Sequence, residues 1–165
     1  MKKIISFALC VVSLMGVLLL SSCGADKSGK LTSLKIYDAE LACHLDMDKV
    51  LDAFSDHEYE YFESISCAYN GMDKTYDYVD DGFCITTYPV DNKDFILEIM
   101  ITSDKITQND GKVYVGMSKD EVIALFGSDF AQEGDLITYT VKDEQTMSFL
   151  ISDNKVVEYG ISAAE

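Results

Sequence analysis

Few residues in this sequence could support nucleophilic chemistry. His44 and His57 are its only neutral-pH bases. A pair formed by Cys67 and His57 could generate a thiolate nucleophile, because a cysteine needs a base or a positive neighbour to ionise at neutral pH. Cys67 lies within a predicted strand, 62–69, and is expected to belong to the core, and neither histidine belongs to a recognised catalytic motif. We therefore predict that the protein is not an enzyme.

Metal binding is the second chemistry to consider. Cys43, His44 and His57 have zinc-ligand side chains, but their spacing lacks the paired Cys-x-x-Cys or His-x-x-x-His that closes a zinc site. The acidic stretches 77–82 and 91–94 could place oxygens around calcium, yet neither fits the twelve-residue loop of a helix-loop-helix site. Hairpin turns explain both stretches. We predict no metal site and no cofactor.

Tyrosines are concentrated in the first half of the sequence. Aromatic side chains on an open sheet face can hold a peptide, a glycan or a protein surface. They can equally pack beneath a helix with their hydroxyls at the surface. The six tyrosines of this group are Tyr59, Tyr61, Tyr69, Tyr76, Tyr78 and Tyr88. As partner-binding residues we single out Tyr69, Tyr76, Tyr78 and Tyr88.

The N-terminal residues have the features of a secretion signal. Lys2 and Lys3 precede an apolar run, 4–20, which ends in Leu20-Ser21-Ser22-Cys23. This ending resembles the lipobox of bacterial lipoproteins, and the resemblance implies cleavage after residue 22 and lipidation of Cys23. The alternative is an uncleaved transmembrane anchor, since such a run could just span a bilayer. We expect a protein anchored by lipid to the extracytoplasmic face of the cell membrane.

Charge limits the choice of partners. The formal net charge is −16 and the sequence contains no arginine. Such an acidic balance argues against nucleic acid and anionic lipid as partners and leaves a cationic partner open. Three cysteines remain beyond the signal and the anchor, so they cannot all pair. A Cys67–Cys84 bridge and three free thiols both stay open.

Periodicity predicts two helices. Met47, Val50, Leu51 and Phe54 form one apolar stripe, with Asp46 placed as the N-cap. In the second helix, Ser118 and Glu121 form a capping box and Gly127 marks the end. Runs of strand character follow each helix, and the predicted strands are 62–69, 75–79, 83–90, 95–102, 135–142, 146–152 and 155–161. Asn70-Gly71, Asp81-Gly82 and Asp153-Asn154 are turn signals between them.

The two halves can be aligned with each other. The segment 50–56 matches 122–129 with one residue inserted, and the strand residues 88–101 match 139–151 with a small offset. A chance match would cover one element rather than a helix and two strands in order. We infer two diverged copies of a helix-then-meander unit.

The segment 115–127, Val-Gly-Met-Ser-Lys-Asp-Glu-Val-Ile-Ala-Leu-Phe-Gly, resembles the small lipoproteins of outer-membrane assembly and the tandem-repeat β-lactamase inhibitory proteins. The segments 66–76 and 85–89 resemble a group of lipoproteins from Gram-positive gut anaerobes. These resemblances imply a binding or assembly module and provide no catalytic residues.

The resulting prediction is an α+β fold of two tandem units, each a short helix packed on an antiparallel β-meander. The expected divisions are a signal peptide, 1–22; a lipidated cysteine and flexible stalk, 23–34; a first repeat, 35–106; and a second repeat, 107–165. The expected function is a non-enzymatic binding module for an envelope protein or a cell-wall polymer. The alternative is an inhibitor or assembly factor of an envelope enzyme.

Overall fold

The computed structural model describes residues 29–142 and 145–163. The predicted signal and Cys23 lie outside the described residues. In the described part, two short helices accompany ten strands. The first half contains β1 (Leu34–Ile36), β2 (Ala39–Leu41), α1 (Met47–Ala53), β3 (Glu60–Ile65), β4 (Met72–Tyr78), β5 (Phe83–Val90) and β6 (Lys93–Ile101). The second half contains α2 (Lys119–Phe126), β7 (Ala131–Glu133), β8 (Leu136–Thr140), β9 (Thr146–Ser152) and β10 (Lys155–Ser162).

The prediction of two tandem helix-on-meander units in an α+β fold is wrong. Eight strands form one continuous antiparallel sheet in the order β3-β4-β5-β6-β10-β9-β8-β7, and the fold is mostly β. The halves join where β10 pairs with β6, with Tyr159 opposite Ile101 and Ile161 opposite Ile99. Had each half kept its own sheet, these two strands would expose unpaired backbone groups. Their pairing removes both edges and makes one core.

Local signals for the helices are confirmed. The Asp46 side chain accepts a hydrogen bond from the backbone N–H of Asp48 at the start of α1. At the start of α2, Ser118 and Glu121 form the full capping box. Gly127 follows the last helical residue with φ of 89°, a left-handed conformation that glycine adopts without steric cost.

The seven predicted strands are present, shifted by a few residues at several ends. Periodicity missed β1, β2 and β7, which have three residues each and are too short to show an alternation. The Asp153-Asn154 turn is confirmed, since both residues have positive φ between β9 and β10. Within the described residues, no helix is both long enough and apolar enough to cross a membrane.

The core lies between the sheet and the two helices. On the helix side of the sheet, two rows of side chains run across the six inner strands. Every side chain in these rows is buried. The first row is Tyr76, Ile85, Ile99, Ile161, Met147 and Tyr139; the second is Tyr78, Phe83, Ile101, Tyr159, Phe149 and Ile137. Phe54, next to α1, packs its ring against Phe83, and Phe126 of α2 packs against Phe149. Both helices therefore cover the same sheet face.

The β1–β2 hairpin forms a separate small sheet that buries Leu34, Ile36 and Leu41 in the core and is also held by hydrogen bonds from one side chain, Gln108. Gln108 is 4% exposed, and its amide makes two hydrogen bonds to the backbone of Lys35 in β1. Gln108 accepts from the Lys35 N–H at 2.7 Å and donates to the Lys35 carbonyl at 2.8 Å. The Gln108 amide thus binds the two backbone groups of Lys35 that a neighbouring strand would otherwise pair with.

Candidate functional site

Three of the four tyrosines chosen from the sequence are buried. Tyr76 and Tyr78 belong to the core rows under the helices, with 6% and 0% exposure, and Tyr88 is 9% exposed. Tyr69 packs on Tyr88 with ring centroids 4.6 Å apart. Because Tyr76, Tyr78 and Tyr88 are enclosed by protein, they cannot meet a partner without opening the core. The exposed aromatic residues of this half are instead Tyr37, Tyr59, Tyr61 and Phe62.

The structure keeps the residues of the considered thiol and zinc sites apart. His44 Nδ1 lies 2.7 Å from the Tyr88 hydroxyl, whereas His57 Nδ1 lies 2.7 Å from the Asp81 carboxylate. The expected place of Cys67 in a buried strand is wrong, because Cys67 is exposed in the turn between β3 and β4. Among the described residues, no three histidine, cysteine or carboxylate side chains come together as a metal site. Each histidine is engaged in its own local contact.

Internal contacts also occupy the acidic turns. Asp81 accepts hydrogen bonds from the Tyr37 hydroxyl and from His57, and these bonds lower the pKa of its carboxyl despite partial burial. Asp94 pairs with Lys74 at 2.6 Å. These carboxylates therefore tie the turns to neighbouring elements of the fold.

The sheet face opposite the helices has no helix packed on it, and we call it the open face. Its side chains alternate with the buried rows, and serine and threonine are the most frequent among them. Across the six inner strands, the open face consists of Thr75, Asp77, Cys84, Thr86, Glu98, Met100, Leu136, Thr138, Thr140, Thr146, Ser148, Leu150, Glu158, Gly160 and Ser162. Within it, the Thr146 and Ser162 hydroxyls lie 2.7 Å apart. A polar face of this kind offers many hydrogen-bonding groups to a partner.

Gly160 lies near the middle of the open face, at the junction of the two halves. A Cβ atom at this position would lie 2.2 Å from the Ile99 carbonyl oxygen, so no larger residue fits without moving β6. The glycine therefore permits the close approach of β10 and β6 on which the continuous face depends.

At the centre of the open face, the ionised forms of the acidic side chains are disfavoured in the free protein. Burial raises the pKa of Glu98, and the nearby charge of Glu158 raises it further. Burial also raises the pKa of Glu158. Burial, together with the charges of Asp77, Glu98 and Glu158, raises the pKa of the Cys84 thiol to about 11. Desolvation and like charge thus both oppose ionisation at this point.

The lysines of β4 and β6 are paired with carboxylates away from Glu98 and Glu158. Lys74 of β4 pairs with Asp94, and Lys93 of β6 pairs with Asp46 at 2.7 Å. A cationic group from outside would therefore find a negative potential at the centre of the open face. Ionised carboxylates at this site would be stabilised by such a group.

The cysteines of the described residues, Cys43, Cys67 and Cys84, are free thiols. Cys43 is half-buried, contacts the Leu97 carbonyl at 3.5 Å and lies 3.3 Å from the Gln145 amide nitrogen. Burial raises the pKa of the Cys43 thiol. Cys43 and Cys84 are therefore poor nucleophiles.

Comparison with known proteins finds no matching family model, no matching curated protein and no matching solved structure. The resemblance drawn from residues 115–127 stays a prediction.

Proposed function

We propose that this protein is a lipid-anchored, extracytoplasmic binding module that uses its open face to hold a cationic envelope protein. The observation that carries the proposal is the pair of half-buried carboxylates, Glu98 and Glu158, on a sheet face that neither helix covers. A non-enzymatic role fits the histidines, because His44 and His57 contact a tyrosine and an aspartate rather than a nucleophile.

The proposed anchor rests on the N-terminal sequence. The basic start, the apolar run and the Ser21-Ser22-Cys23 ending together favour secretion and lipidation. Two acyl chains hold a protein firmly at a membrane. The described domain would then need no membrane-binding surface of its own, and its open face would remain free for a partner.

The proposed partner is cationic because of the charge on the face. Burial opposes ionisation of both Glu98 and Glu158, the charge of Glu158 adds to this cost at Glu98, and a lysine or arginine from a partner would offset the cost. The formal charge of −16 would also steer a basic protein toward this molecule. The surrounding serine and threonine hydroxyls would complete the polar contacts.

The test is capture of solubilised envelope proteins from the source organism on the immobilised full-length protein. We expect saturable capture of a basic protein, weakened about tenfold by Glu98→Gln combined with Glu158→Gln, which is the loss of about 1.4 kcal/mol. The control is Asp52→Asn combined with Asp104→Asn, which removes two charges from exposed positions outside the open face. Equal weakening by both double variants, or no effect of either, would overturn the proposed use of the open face.

A further inference from the structure

Strand β3 forms one outer edge of the eight-stranded sheet, and all six of its residues are exposed. Ile65 is 80% exposed and Phe62 55%. The opposite edge, β7, has only three residues, Ala-Gln-Glu, and no large apolar side chain. Exposed edges offer unpaired N–H and C=O groups to another strand, and proteins commonly block them with charged side chains, especially lysine, or with proline. Strand β3 contains no lysine or proline, and its charged residues are Glu60 and Glu63.

The register shows which backbone groups of β3 are free. The Ser66 N–H donates to the Gly71 carbonyl, so Ser66 and alternate residues before it face β4. Lys74, which lies opposite Glu63 in β4, supports this assignment. Its carbonyl faces β5, where it accepts a hydrogen bond from the Thr87 hydroxyl, so it does not bond to β3. The residues of β3 whose backbone groups face outward are therefore Tyr61, Glu63 and Ile65.

We propose that β3 pairs antiparallel with β3 of a second copy of this chain, with Phe62 opposite Phe62 across a two-fold axis. An antiparallel ladder must set outward-facing residues opposite one another. Two registers meet this condition and also pair most residues of one β3 with most residues of the other. One places Glu63 opposite Glu63, and like charges directly opposite are destabilising. The other places Tyr61 opposite Glu63 and is the one proposed.

The chosen register also matches the side chains. Tyr61 already donates to Glu63 of its own strand at 2.9 Å, and across the axis the same two residue types face each other. Ile65 of one copy lies opposite Tyr59 of the other, so its apolar side chain would contact an aromatic ring. Phe62 pairs with itself on the open-face side, because its neighbour Thr75 belongs to that face. The dimer would therefore join two open faces into one.

In the proposed register no carboxylate of β3 lies directly opposite another, so direct like-charge contact is avoided. The net charge of −16 on each chain opposes association over longer range. Salt screens such repulsion, with a screening length of about 8 Å at physiological ionic strength. Dimerisation should consequently strengthen as salt concentration rises, unlike the capture of a cationic partner, which salt should weaken.

Disulfide trapping tests the register. In the full-length protein, extracted in detergent and carrying Cys67→Ser, we expect Phe62→Cys to form a covalent dimer on oxidation with copper phenanthroline. The two Cα atoms would lie about 4.5 Å apart, within disulfide range. Ser64→Cys, on the same face of the strand, faces Glu60 rather than itself and should not cross-link. Equal cross-linking by the two variants, or dimers from Glu63→Cys alone, would overturn the proposal.

Sedimentation of the full-length protein in detergent supplies the second measurement. The wild type should form dimers increasingly with salt, whereas Ile65→Lys should weaken dimerisation at least tenfold. Leu136→Lys is the matched control, because Leu136 is also an exposed apolar residue and lies on β8, away from the β3 edge. A wild type that stays monomeric at all salt concentrations, or equal weakening by both variants, would refute pairing through β3.

Discussion

Replacing Gln108 by leucine should destabilise the protein although it retains most of the buried volume. The glutamine amide makes two hydrogen bonds to the backbone of Lys35, at 2.7 and 2.8 Å. Each such bond contributes about 1 kcal/mol net, and the partly buried Lys35 groups left without partners add to the loss. We therefore expect Gln108→Leu to lower the free energy of unfolding by about 2–3 kcal/mol.

Urea unfolding followed by circular dichroism measures this loss. The matched control is Gln132→Leu, because Gln132 makes its hydrogen bonds at an exposed position on β7. We expect the control to change stability by no more than about 0.5 kcal/mol. Amide hydrogen exchange should also show that the Lys35 N–H loses protection in Gln108→Leu. Equal stabilities of the two variants would refute the reasoning that Gln108 fastens the β1–β2 hairpin.

Two further predictions concern the open face. Because the folded-state pKa of Glu98 is raised above its usual value of 4.5, this group stabilises the fold most at low pH and that contribution is lost as pH rises through the raised pKa. Glu98→Gln should therefore raise the melting temperature at neutral pH, with the gain vanishing below pH 4.5; a gain that persists in acid would contradict this. Cys67 should react with a maleimide at least tenfold faster than Cys84, whose pKa is raised to about 11. Mass spectrometry of timed samples measures the rates, and equal rates would contradict the burial of Cys84.

Local features of the fold could be predicted from sequence because they depend on neighbouring residues. The capping box of Ser118 and Glu121 needs only four consecutive residues to form, and it sets the start of α2. The alternation of apolar residues in β6 likewise places Ile99 and Ile101 on the buried face. The register shift opposite Thr86 and Thr87 buries Ile96 rather than Leu97, so the alternation fails in the first part of the strand. Both signals are complete within one element.

The joining of the halves could not be predicted in this way. Nothing near Tyr159 in the sequence specifies that it pairs with Ile101, more than fifty residues earlier. An internal repeat suggests two similar units but does not determine which of their strand edges meet. Gly160 is a signal in retrospect, because a glycine within a strand often marks the close approach of another backbone.

The sequence prediction assigned partner binding to the tyrosines, whereas the candidate site consists of residues that alternate with them along the strands. Tyr76 and Tyr78 alternate with Thr75 and Asp77, and only one of these sets can face the core. Aromatic side chains gain more from burial than threonine or aspartate, so they occupy the helix side. The same alternation in β6 places Glu98 on the open face.

Site-specific photo-crosslinking in living cells of the source organism tests the central claim most directly. A photoreactive benzoylphenylalanine would replace Thr86 on the open face or Lys49, an exposed residue of α1 on the opposite side. Our account predicts a discrete adduct with a basic envelope protein from position 86 and none from position 49. An adduct from position 49 alone, or no adduct from either position, would contradict binding through the open face.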